Sequence, residues 1–140
     1  MRYEDVAKTL LMEFPTFSIA DEDDLELQYI VAGLFSAYIY EAYQAGDKKT
    51  YEKGLKFIEK LHIDDTHKVR ELATIGYLES IQNTWPEHLI NANIPFDDLG
   101  EQSKVWWGKL NDFWNGESAA LMENDHTASN TPHTNAKRKP

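Results

Sequence analysis

The chain has no cysteine, which removes disulfides, thiolate metal sites and cysteine nucleophiles together. Basic residues are scarce: 14 Lys and Arg stand against 24 Asp and Glu, for a formal net charge of −10 at pH 7. A nucleic-acid binder needs clustered Lys and Arg against phosphates, so that class is set aside. A charged partner should instead be basic. Long apolar runs are missing too. The longest charge-free apolar region, Tyr29–Tyr40, covers about twelve residues, where a bilayer needs about 20. The opening MRYEDVAKTLLMEF mixes charge into its apolar residues and lacks a signal-peptide core. These absences point to a cytoplasmic protein with neither membrane nor nucleic acid among its partners.

Catalytic signatures are equally scarce. Gly46-Asp47-Lys48-Lys49-Thr50 superficially resembles a phosphate loop but lacks G-x-x-x-x-G-K-[ST] and a preceding strand. No G-x-S-x-G elbow or dinucleotide glycine pattern occurs. Paired acids at Asp21–Asp24 and Asp97-Asp98 read as exposed turns, whereas general acid–base work needs a pocketed carboxylate with a shifted pKa. His62-Ile63-Asp64-Asp65-Thr66-His67 contains imidazoles and carboxylates suited to zinc. It falls where one helix ends and the next begins, and there His and Asp are expected as capping residues. No catalytic residue, cofactor or metal is assigned, and the chain reads as a binding protein rather than an enzyme.

What is present is helical periodicity. At 140 residues and 41% hydrophobic, the chain suits one domain with one core. Its organising stretch is Asp64–Gln82, DDTHKVRELATIGYLESIQ. Val69, Leu72, Ala73 and Gly76 recur on one helical face, and Ile75, Leu78 and Ile81 on a second. So wide an apolar arc predicts a central helix buried between neighbours, with Ile75 in the core. Gly76 costs roughly 1 kcal/mol of helix propensity, and close approach of another helix there is the expected compensation.

Around it the spacing predicts a first helix over Tyr3–Phe14, ended by Pro15. A second runs over Leu25–Gln44, apolar around much of its circumference and expected to pack on more than one neighbour. Ala45-Gly46-Asp47 reads as a C-cap glycine followed by a new N-cap. The third helix, Lys48–Leu61, turns Lys49, Lys53, Lys56 and Lys60 outward as a solvated face with weak i,i+4 pairs. A short helix fits Glu87–Asn91. In Leu99–Gly116, Trp106, Leu110, Phe113 and Trp114 share one face, which makes Trp106 the core anchor and turns Trp107 away. The expectation is an all-α, compact bundle of about five helices over residues 1–120. Residues 121–140 form a polar, flexible tail.

Two resemblances bear on function. Asp65, Val69-Arg70, Ala73 and Leu78, with the preceding helix, resemble one helix pair of a HEAT-type repeat. In such repeats the turn Asp and the following Arg tie neighbouring turns together. The pattern Leu99-Gly100, Ser103, Trp106-Trp107, Leu110-Asn111 and Phe113-Trp114 resembles the closing motif of small acidic helical bacterial proteins. Some of these are similar to immunity proteins of contact-dependent or polymorphic toxin systems. That resemblance implies an immunity protein that covers a basic toxin domain, such as a nuclease. The alternative is a helical adaptor or assembly subunit acting through an exposed aromatic and apolar surface. The residues expected at the interface are Asp21, Glu22, Asp23, Asp24 and Glu26 before the second helix, and Asp97, Asp98 and Glu101 before the last. Trp85 and Trp107 are expected as aromatic anchors, since Trp is enriched at interface hot spots.

Overall fold

The central stretch folds as one uninterrupted helical run. It comprises α4 (His67–Glu71), a π-helical segment (Leu72–Leu78) and α5 (Glu79–Thr84). Six of the seven residues in the π segment are buried, all but Ile75. A π turn takes more residues than an α turn, so it widens the inward arc to include Thr74 and Tyr77. Ile75, placed in the core from α-helical spacing, is instead only half-buried at the edge of that arc. Gly76 does mark a close approach. A Cβ built there would lie 3.3 Å from Ala32 Cβ and 2.8 Å from Leu72 Cδ1.

This computed structural model describes residues 1–21 and 26–115. Before the central run come α1 (Val6–Glu13), α2 (Gln28–Gln44) and α3 (Lys48–His62). After it come the short α6 (Glu87–Asn91), in the expected place, and α7 (Glu101–Trp114). With the central run counted once, these make six helices, and no strand occurs among the described residues. The fold is all-α. The expected tail, the helix end at Gly116 and a helix start at Leu25 fall outside the described residues.

The helix ends follow local chemistry. α1 stops at Glu13, two residues before Pro15. α2 closes through Gly46 at φ 76°, a conformation glycine adopts without a Cβ clash. The Asp47 side chain then accepts the Thr50 N–H at the start of α3. The lysine face of α3 is more engaged than a solvated face. Lys53 donates to the Glu13 carbonyl at 2.6 Å, capping α1, and Lys60 pairs with the Glu13 carboxylate at 2.9 Å. At the α3–α4 turn, Arg70 donates to the Asp64 carbonyl at 2.8 Å. The Asp64 backbone thus makes the tie expected of Asp65, whose side chain is 94% exposed.

The core gathers on one aromatic hub. The Phe35 ring of α2 meets Phe14 at 4.9 Å, Phe17 at 5.2 Å, Tyr38 at 5.6 Å, and Phe57 and Tyr77 at 6.1 Å. α2, α3 and α7 all pack on the π segment.

The register of α7 differs from the expected one. Ser103, Trp107 and Leu110 point inward, and Trp106 lies only partly buried at the edge. A polar residue, Ser103, heads the inward row, so an apolar count selects the wrong face. Trp107→Ala should therefore cost about 3–5 kcal/mol, and Trp106→Ala clearly less, in chemical denaturation. Tyr77 offers a complementary check. Its hydroxyl is buried without a hydrogen-bond partner among the described residues. Removing an unsatisfied buried hydroxyl relieves its desolvation cost, so Tyr77→Phe should leave stability unchanged or raise it by about 1 kcal/mol.

Candidate partner-binding surface

Chemistry-bearing side chains converge at one place in the interior, beneath α7. Glu59 and His62 stand one turn apart on α3. The Glu59 carboxylate accepts the Gln102 N–H at 3.0 Å and the Ser103 N–H at 2.8 Å. These are free donors at the start of α7, whose own N-cap, Gly100, has no side chain to satisfy them. Gly100 also makes the room, since a Cβ there would lie 2.5 Å from Glu59 Cδ. Ser103 Oγ donates to the same carboxylate at 2.9 Å. With its one proton so used, Ser103 Oγ must accept from His62 Nδ1–H, 2.9 Å away. The Thr74 hydroxyl of the π segment lies 3.0 Å from His62 Nε2 and 3.4 Å from the Arg70 carbonyl, and in a neutral ring protonated at Nδ1 it is Nε2 that accepts from it.

The imidazole is neutral because it is buried. Burial pushes the His62 pKa down to about 4, with Glu59 opposing it. Burial on its own would raise Glu59, but the Ser103 and Gln102 N–H groups and the Ser103 hydroxyl outweigh it and hold the carboxyl below its usual range. The set contains serine, histidine and glutamate, yet it is not arranged as a nucleophilic triad. There the carboxylate orients the imidazole and the imidazole faces the hydroxyl. Here the carboxylate holds the serine, threonine takes the far ring nitrogen, and Ser103 is fully buried. The arrangement fixes α7 against α3 and the π segment. The other members of the candidate metal cluster are engaged or turned outward. Asp64 accepts the Thr66 N–H and the Met1 amine, and His67 is exposed. Among the described residues no three His, Asp or Glu side chains are grouped to hold a metal ion.

The surface has a different focus. α2 buries Val31, Phe35, Ile39 and their neighbours, while its opposite face carries Ile30, Leu34 and Ala37 in one row, with Leu27 at the N-cap before them. Leu27 is 49% exposed, Ile30 47% and Leu34 41%. The apolar circumference of α2 was expected to mean packing on several sides, yet this row is uncovered. Glu26 precedes it in the sequence and Glu41 follows on the same face of α2, and both are exposed.

Other expected interface residues are placed as follows. Asp21, Asp97 and Glu101 are exposed, and Glu22, Asp23 and Asp24 lie outside the described residues. Asp98, also exposed, accepts the Tyr51 hydroxyl at 2.7 Å, which with burial raises the Tyr51 pKa. Tyr51 packs on Tyr43, near the C-terminal end of α2. Asp98 and Glu26 therefore belong to opposite ends of a helix about 25 Å long. Trp85 and Trp107 correct the expectation outright. Each is 4% exposed, so neither can be a surface anchor. Trp85 follows α5 and folds back on α2, where its indole donates to the Ser36 carbonyl at 3.2 Å between the rings of Tyr40 and Tyr43. The aliphatic row on α2 was missed as a site because the same residues read as core.

The polar chain predicts a pH response. His62 is held near pKa 4 in the fold, against 6.5 for the ordinary imidazole. The unfolded chain therefore binds the extra proton between about pH 6.5 and 4. Stability from this residue is complete above that window and is lost as pH falls through it, by about 3 kcal/mol at 1.36 kcal/mol per pH unit. Thermal melts from pH 7 to 4 should show the fall, and His62→Gln should flatten it between pH 6.5 and 5.

Comparison with known proteins places the chain in a family. No curated protein and no solved structure matches it. One family model does match, over residues 7–115, and it describes a domain of unknown function. That span is most of the 140 residues and holds α1 to α7 but for the first residue of α1, so this chain belongs to the DUF7674 family.

Proposed function

We propose that the protein works by binding another protein, and that it is an immunity-type inhibitor covering a basic toxin domain, of which a nuclease is the model case. The observation that carries the reading is the outer face of α2, an uncovered aliphatic row bounded by carboxylates on a chain of net charge −10. Exposed apolar rows rimmed by polar residues mark interaction sites. A partner acting on phosphates must present positive charge, and an acidic inhibitor gains a steered, fast association with it. In the sequence, five carboxylates from Asp21 to Glu26 immediately precede the row. Among the described residues, the buried cluster of catalytic residue types, Glu59, His62 and Ser103, serves to hold helices together, which supports binding over catalysis.

A second reading, a helical adaptor, is favoured by a specific observation. Exposed carboxylates are not confined to one face: Glu52 on α3, Glu71 on α4, Glu87 on α6 and Asp112 on α7 spread them over the bundle. An adaptor would use the aliphatic row and depend little on charge.

Co-expression with the product of the adjacent upstream gene separates the two, scored by co-purification and by protection of growth. For the inhibitor a complex forms and protects. Its association rate should fall about tenfold between low and high salt, and Glu26→Lys with Glu41→Lys should slow it further. A complex indifferent to salt that gives no protection would make the adaptor the better reading. The absence of any complex would remove the inhibitor.

A further inference from the structure

We propose that the occupant of the α2 outer face is one amphipathic helix of a basic protein, with Lys or Arg at both ends of its apolar row. This rests on the binding reading above and adds the shape and charge layout of the partner. The spacing selects the shape. Within α2, Ile30, Leu34, Ala37 and Glu41 are separated by four, three and four positions, the pattern of a heptad seam, and Leu27 stands at the N-cap just before it. Side chains at that spacing form the holes that receive the knobs of a second helix crossing at about 20°. A strand, whose side chains recur at every second residue, has no such match. Ala37 in the row is small and exposed, so the two backbones can approach closely there.

Charge selects the partner. α2 has no Lys or Arg, and its uncovered row runs between exposed Glu26 and exposed Glu41. A second copy of the chain would be mismatched in either orientation. Packed antiparallel, it sets Glu26 against the other copy's Glu41 at both ends, and packed parallel, each glutamate meets its own counterpart. Lys or Arg at both ends of the incoming row turns these repulsions into pairs. Such rim pairs act on selectivity and rate more than on raw affinity, leaving the aliphatic seam to hold the complex.

The test uses the full chain and stapled helical peptides, so that helix formation costs the ligand little. The first peptide carries Leu in the complementary row with Lys at both ends. The second keeps the row and ends in Glu, and the third scrambles the leucines at constant composition. Fluorescence anisotropy should show the Lys-ended peptide binding at least about tenfold more tightly than either control. Leu34→Ser and Ile30→Ser should each weaken it about tenfold or more, with unfolding temperatures close to the parent because both residues are exposed. Equal binding of the three peptides, or no binding, overturns the proposal, as does binding unaffected by the two substitutions. Sedimentation showing a dimer that Leu34→Ser dissociates makes the second copy the occupant and also overturns it. A complex with the upstream product that survives both substitutions preserves the proposed function while removing this face. Peptide binding with no such complex does the reverse.

Discussion

A neutral imidazole in the interior is the constraint on which the arrangement of helices depends. His62 can satisfy both ring nitrogens only if Ser103 and Thr74 arrive together from α7 and the π segment. Because Ser103 donates its proton to Glu59, it meets His62 as the acceptor. Each member therefore sets the direction of the next. Partly satisfied buried networks are costly and complete ones specify a single packing, so this chain of bonds selects the rotation of α7 about its axis. Apolar contacts alone would leave that rotation less defined, because Trp106 and Trp107 are adjacent and similar in bulk.

The π segment and the aromatic hub belong to the same solution. Tyr77 reaches Phe35 from within the widened turn, and Thr74, three residues before it, reaches His62. One local change in helix geometry thus brings a ring to the hydrophobic side and a hydroxyl to the polar chain. Gly76 lies between them and admits Ala32 of α2 at close range. Its loss of helix propensity is offset by that contact, as expected for a glycine inside a buried helix.

Much of this was legible in the sequence, and the exceptions have common causes. Pro15, Gly46-Asp47 and the short Glu87–Asn91 helix depend on backbone chemistry within a few residues, and all were placed closely. The facing of Ile75 depended on a π turn that a periodicity of 3.6 does not contain. The facing of Trp106 and Trp107 depended on counting Ser103 as a core residue, which requires knowing that His62 and Glu59 await it from a different helix. The surface row was hidden for the opposite reason. Leu27, Ile30 and Leu34 have the composition of a core, and only the positions of the other helices show that none of the described ones covers them. Trp85 was misread because the fold-back after α5 is set by α2, which lies more than forty positions earlier in the chain.

The uncovered row has a colloidal consequence. Across the 17 residues of α2 only Glu41 carries a full charge, so the helix has little of its own to keep apolar faces apart. Separation between copies falls to the long-range repulsion of a body at −10. Such repulsion reaches only about 8 Å at physiological ionic strength and about 3 Å at 1 M. It also fades as pH approaches the isoelectric point near 4.8. Concentrated salt or mild acid would then bring the rows within range of their short-range attraction, and the second virial coefficient of the solution would turn from positive to negative.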